Sequence, residues 1–216
     1  MARMARIVVP YFPHHVVQRG NRRQKTFFEN RDYERYRALM SKFCRKAGTQ
    51  VWAYCLMPNH VHLVMVPSHE DGLRAALGEA HRRYTLAINQ RYDWRGHLWQ
   101  ERFHSFPMDE AYLLAAVRYV ERNPVAAGLC HRAEEWPWSS AQAHLQGRDD
   151  ELVETKPMLS RIGNWAAYLA SDTVDDADDR LAEHARTGRP LGDEQFITTL
   201  ERLTGKTLAP RRRKKR

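Results

Sequence analysis

Val51-Trp-Ala-Tyr-Cys-Leu-Met-Pro-Asn-His60-Val-His-Leu-Val-Met-Val66 is the stretch whose reading decides the fold. Two apolar runs, 51–57 and 61–66, flank Pro58-Asn59, a short turn signal, and together they predict an antiparallel pair of strands. Successive strand residues point to opposite faces. His60 and His62 therefore project side by side from one face, while Val61 and Leu63 turn the other way into a core.

Outward from this pair, helices and strands alternate. Phe12 to Arg19 predicts a strand ended by Gly20-Asn21. Residues 31–47 predict a helix, with Tyr33, Tyr36, Leu39, Met40 and Phe43 on one face at three- and four-residue spacing and Gly48 as its stop. Downstream, a long helix covers 72–92 and a short strand 97–107. A third helix runs from Asp109, its N-cap, to Arg122, and Asn123-Pro124 closes it, because a residue before proline disfavours helical geometry. The order predicts an α+β class: an antiparallel sheet with helices packed on it. After Gly128 the character changes. Trp136-Pro-Trp-Ser-Ser140 reads as a turn into a short helix, 171–180 as an acidic linker or helix start, and 193–203 as a last helix. The expected organisation is a main domain over 1–145, a small helical C-terminal appendage over 146–210, and a basic, disordered tail over 211–216.

Charge is unevenly spread. Residues 1–150 carry 22 Lys/Arg against 15 Asp/Glu, residues 151–210 carry 7 against 11, and the last six residues are all basic. A basic main domain with a basic tail suits a polyanionic partner. No apolar run approaches the roughly 20 residues of a membrane span, so no membrane role is expected. The N-terminus lacks the apolar core and cleavage site of a signal peptide. Cys44, Cys55 and Cys130, odd in number and widely spaced, suit a reducing cytoplasm and give no zinc-ribbon spacing.

Two imidazoles on one face of a strand make a good pair of metal ligands, although a His-x-His taken alone is more often two half-buried, hydrogen-bonded histidines. Val64 in the third alternating position argues against the three-histidine pattern of nucleotide hydrolases. Two histidines leave a divalent ion undercoordinated. An oxygen donor as third ligand, with open positions, suits Mg²⁺ or Mn²⁺ acting on phosphate. Tyr119 and Asn123, four apart on the third helix, share a face. The Asn123 amide oxygen would complete the metal site, with the Tyr119 hydroxyl one turn away as nucleophile. Without the histidines, the same two residues read as core and cap.

Five segments in order carry a resemblance: Gln18-Arg-Gly-Asn-Arg-Arg-Gln24, Tyr54-Cys-Leu-Met-Pro-Asn-His-Val-His62, Gly96-His-Leu-Trp-Gln-Glu-Arg-Phe-His104, Arg118-Tyr-Val-Glu-Arg-Asn-Pro124 and Trp136-Pro-Trp-Ser-Ser140. Across about residues 7–145 the chain resembles the HUH single-tyrosine transposases, specifically the REP-associated tyrosine transposases of bacteria. Thr187-Gly-Arg-Pro-Leu-Gly192 with Phe196-Ile197 resembles a longer subgroup. The resemblance implies an HUH, ferredoxin-like palm with His60 and His62 as metal ligands and Tyr119 as nucleophile. Asn123 is the polar ligand four residues on, where some relatives use glutamine. It further implies attack on a single-stranded phosphodiester, giving a 5′-phosphotyrosine and a free 3′-hydroxyl that can rejoin strands without ATP. The implied substrates are DNA hairpins of repetitive extragenic palindromes. The protein would act as a monomer or a homodimer.

For the DNA surface, Arg19, Arg22, Arg23 and Lys25 are the expected phosphate grips. Trp99, Arg102 and Phe103 mix aromatic and cationic groups as single-strand binding does. His14, His15, His97 and His104 are candidates to support the ligands from behind. Two rival readings are a DNA-hairpin binding protein that no longer cleaves and a plain phosphohydrolase in which water attacks.

Overall fold

The computed structural model describes residues 6–171 and 177–208. Its elements are β1 (His14–Arg19), α1 (Asn30–Lys46), β2 (Thr49–Met57), β3 (His60–Pro67), α2 (Gly72–Tyr92), β4 (His104–Pro107), α3 (Glu110–Ala126), α4 (Ala141–Gln146), α5 (Lys156–Leu159), α6 (Trp165–Ala170), α7 (Ala177–Thr187) and α8 (Glu194–Thr204). The basic run 211–216 lies outside the described residues.

The four strands make one sheet in the order β2-β3-β1-β4, every pair antiparallel. Alternation along β3 sorts its side chains into two layers. Val61, Leu63 and Met65 join Val16, Tyr54 and Leu56 beneath α1 and α2, where Tyr36, Met40, Leu73, Leu77 and Tyr84 are buried. On the other face Val64, Ala53, Cys55 and Phe106 pack under α3, against Leu113, Ala116, Val117 and Val120. This is the expected α+β class, with helices covering both faces of the sheet.

Local chemistry fixes the starts of α1 and α3, one on each face of the sheet. A reciprocal capping box between Glu29 and Asp32 opens α1. Asp109 opens α3 by accepting the Tyr112 amide at 2.9 Å. Contrary to the sequence expectation, α3 does not stop before Pro124 but runs on to Ala126 with the proline inside. Proline removes one helical donor, and the turn closes through neighbours instead: Ala127 N–H donates to Asn123 O and Leu129 N–H to Pro124 O. The fourth strand is shorter than expected, because 97–103 run as an irregular loop before His104.

The Trp136–Ser140 motif covers the outer edge of β2. Leu56 N–H donates to Trp138 O, Ser140 N–H to Tyr54 O, and the Trp136 indole to Leu56 O at 3.1 Å. The edge is thereby closed to further strands. Beyond it the chain does not stand apart from the main domain. Trp165, Leu169, Leu181 and Leu191 enter the core under α3, so position 145 marks a change of layer within one packed body. Among the described residues, α8 contributes to a separate small cluster, Leu200 with Ile7, Val9 and Leu208. The short helices α5 and α6 have no counterpart in the sequence reading. Cys44 and Cys55 are buried, Cys130 is half-buried, and all three are free.

Candidate active site on the α3 face of the sheet

Register brings the site together. Arg19 pairs with His60 and Val17 with His62 across β1–β3, and Val17 pairs with His104 across β1–β4. Directly opposed residues share a face, so Arg19, His60, His62, His104 and His15 all lie on the side that α3 covers. The His60 and His62 rings are 4.9 Å apart, and the Tyr119 ring stands edge-on to His62 at 5.5 Å and to His15 at 6.1 Å.

The hydrogen bonds of the two histidines engage Nδ1 on each ring. His60 Nδ1 is 2.6 Å from Asn59 Oδ1, which only accepts, so this nitrogen carries the proton and Nε2 keeps its lone pair. His62 Nδ1 lies 3.1 Å from His15 Nε2. Burial and the nearby Arg19 charge hold His60 at about 4, and burial, His15, His60 and Arg19 push His62 well below the ordinary value of 6.5. Both rings are therefore neutral at physiological pH, the state a metal ligand requires. Among the described residues no three His, Cys, Asp or Glu side chains converge on one point. The amide of Asn123 is a polar group beside Tyr119.

Tyr119 is held as the neutral phenol. Burial and the Asp178 carboxylate at the start of α7 raise its pKa, while a hydrogen bond from Asn123 and the charge of Arg19 pull the other way. Arg19 and Asn123 are thus the groups that favour the phenolate.

The loop after β1 is built for close approach. A Cβ on Gly20 would sit 2.3 Å from Gln24 O, so the Arg19-Gly20-Asn21 turn admits no side chain there. Arg22 and Arg23 follow with φ of 52° and 59°. Left-handed backbone costs a non-glycine residue about 1–2 kcal/mol, and strain of this kind gathers at functional sites. Asn59 holds it by donating Nδ2–H to Arg23 O at 3.1 Å while its other amide atom engages His60. Arg22, Arg23 and Lys25 are exposed there, and Arg19 is half-buried beside them.

Other expected residues fall elsewhere. Trp99 is only 7% exposed and packs on His81, Tyr84, Tyr36 and Phe27. It is a core residue and not a DNA contact, and Phe103 is likewise buried. Arg102 is exposed. His14 serves the N-terminal segment, its Nε2 accepting Val9 N–H and its Nδ1 donating to Phe12 O. His97 is exposed in the loop before β4. Sequence reasoning missed Asp178 and the buried carboxylate of Glu121. It also missed exposed Trp94, whose loop position carried no periodic signal.

A four-stranded antiparallel sheet with a histidine pair on β3 and a tyrosine-bearing helix across it defines the class of the HUH transposase fold. The chain belongs to the IS200-like transposase family: the family model described as "Transposase IS200 like" matches residues 9–123. It is similar, at 26% identity over 117 residues, to a Haemophilus influenzae protein named "Putative REP-associated tyrosine transposase". That match covers 49% of this chain and 66% of the relative, just under two thirds of its length. Among solved structures, a REP-associated tyrosine transposase bound to a REP hairpin superposes with a TM-score of 0.59 at 21% identity, covering 70% of this chain and 90% of that one. At that identity the likeness establishes the fold. Among the described residues no helix is long and apolar enough to cross a membrane.

Proposed function

We propose that this protein cleaves and rejoins single-stranded DNA beside a hairpin through a 5′-phosphotyrosine on Tyr119, with Mg²⁺ or Mn²⁺ held by His60, His62 and Asn123. The observation that carries the reading is the pair of adjacent, neutral imidazoles on the α3 face, with buried His62 edge-on to the Tyr119 ring and half-buried His60 beside it, its Nδ1 committed to Asn59. A neighbour that fixes one ring nitrogen and leaves the other as an acceptor is the usual support of a metal-ligating histidine. The bound ion would polarise the scissile phosphoryl group.

The chain's own residues do the rest. Arg19, opposite His60 and close enough to Tyr119 to favour its anion, binds the same phosphate and stabilises charge on the attacking oxygen. An Asn123 amide donating to Tyr119, the interaction that favours the phenolate, would orient the hydroxyl and leave the carbonyl oxygen as the ligand atom. Tyr119 Oη loses its proton and bonds to phosphorus, the bond to the 3′ oxygen breaks, and that oxygen takes up a proton. One phosphodiester is exchanged for another, so the reverse step on a second 5′ end needs no ATP. A hairpin with a single-stranded flank is the substrate class proposed, in keeping with the relative's name and the hairpin in the solved neighbour. In the test, flanked hairpin and fully paired duplex of the same sequence are incubated with Mg²⁺ or Mn²⁺. Cutting confined to the flank is expected, and efficient cutting of the blunt duplex contradicts the reading.

A further inference from the structure

Phe28, Tyr92 and Trp94 form an aromatic cluster on the surface, at the far end of the loop that follows β1. Tyr92 and Trp94 stack at 4.9 Å and 26°, and Phe28 meets them at 4.9 and 5.6 Å. Trp94 nevertheless remains 45% exposed and Tyr92 37%. The loop carrying Trp94 is pinned at both ends by Asn89, whose carbonyl accepts Trp94 N–H at 2.8 Å and whose side chain donates to Gly96 O at 3.0 Å. Large exposed rings on a pinned loop are poorly explained as core.

The surroundings indicate what covers them. Segments 20–28 and 92–99 run side by side, joined by Asn21 N–H to Leu98 O and by the Gly20–Trp99 bridge. Arg22, Arg23, Lys25 and Arg95 are exposed on these segments, and none has a carboxylate partner among the described residues. The acids at the start of α1, Glu29 and Asp32, are taken up by Arg91, and Asp93 is the one exposed carboxylate in the Trp94 loop. Unpaired cations beside a pinned aromatic stack match a nucleotide chain, which offers phosphates to the one and base faces to the other. The same loop reaches the site. Thr26 and Phe27 amides donate to Pro58 O, Asn59 holds Arg23, and at most about 18 Å of extended chain lies between Arg23 and Phe28.

We propose that Phe28, Tyr92 and Trp94 are a stacking platform for a base of the single-stranded DNA that flanks the hairpin, with Arg95 and the Arg22–Lys25 loop gripping its phosphates. This rests on the single-strand reading of the active site. Stacking on a ring is tolerant of sequence, so a labelled oligothymidylate is a fair probe. Its affinity for the full chain is measured in EDTA at several salt concentrations. Trp94→Ala should weaken binding about fivefold or more, the effect of one lost base–aromatic stack, with the salt slope unchanged. Trp94→Phe should restore most of it. Arg95→Ala should instead flatten the log–log slope by up to about 0.7. Wild-type affinity in Trp94→Ala overturns the platform. So does a wild-type dimer that Trp94→Ala converts to monomer, because the cluster would then be covered by a second copy of the chain. If the platform fails while wild type still forms a Tyr119–DNA adduct, the active-site reading stands. If wild type forms no adduct on flanked hairpins, that reading has failed first.

Discussion

Glu121 stands two residues after Tyr119 and two before Asn123, yet its carboxylate turns to the opposite side of α3 and accepts the Ser140 hydroxyl at 2.5 Å. The same oxygen meets His144 Nδ1 at 2.6 Å, and the other accepts the Trp165 indole at 2.9 Å. All three partners come from the segment after α3 and all are buried. Residues two apart on a helix face nearly opposite ways, so fixing Glu121 fixes the rotation at which Tyr119 and Asn123 meet the sheet. Glu121→Ala strands three buried donors and should cost about 3–5 kcal/mol in urea unfolding. Glu121→Gln, which keeps the shape, should lose less stability but still slow adduct formation at saturating DNA. A loss below about 1 kcal/mol in the alanine variant would show that the helix is held elsewhere.

A divalent ion that binds only the folded chain stabilises it by mass action, about 2.7 kcal/mol at a hundredfold excess over Kd. Mn²⁺ should therefore raise the unfolding midpoint of the wild type by several degrees. His60→Ala and His62→Ala should abolish both that shift and cleavage while hairpin binding in EDTA largely persists. Wild-type cleavage rates in either variant rule out the metal assignment.

Burial holds His14 at about 4 and His81 at about 3, against 6.5 when exposed. Both folded values lie below the unfolded one, so above pH 6.5 neither state binds the extra proton and stability is full. As the pH falls below 6.5 the unfolded chain takes up protons that the folded chain refuses. Stability then declines until about pH 4 for His14 and about pH 3 for His81. For His14 alone the full window is worth about 3 kcal/mol. Urea midpoints should drop between about pH 7 and pH 5, and His81→Asn should flatten the drop. A flat profile over that range contradicts the buried neutral state.

Arg23→Gly separates strain from recognition. Glycine adopts the 59° φ at Arg23 without penalty, so the variant should be as stable as wild type or up to about 1 kcal/mol more stable. It also loses a phosphate contact and should bind single-stranded DNA more weakly, with a flatter salt dependence. Unchanged affinity would show that Arg23 does not face DNA.

The parts of this architecture that repeat locally were legible in the sequence. Two-residue alternation placed His60 and His62 on the face opposite Val61 and Leu63, and four-residue spacing set Tyr119 beside Asn123. Helix α2 spans Gly72–Tyr92, the bounds that the sequence predicts. Tertiary context decided the rest. Pro124 normally ends a helix, but here neighbouring amides close the turn around it. Trp99 and Trp94 lie five apart in one loop without periodicity, so nothing local says that the first is buried and the second exposed. The Trp136–Ser140 motif was visible as a string. Its work, covering β2 and clasping Glu121, depends on contacts between distant residues that no local pattern encodes.

The proposed chemistry stands on Tyr119 becoming covalently joined to DNA. Wild type and Tyr119→Phe are incubated with a flanked hairpin and Mn²⁺, denatured, digested and mapped by mass spectrometry. A 5′-phosphonucleotide is expected on the peptide containing Tyr119, lost in Tyr119→Phe while that variant keeps its fold and DNA affinity. An adduct mapped instead to Tyr84 or Tyr112, or cleavage that survives in Tyr119→Phe with no adduct, would contradict it.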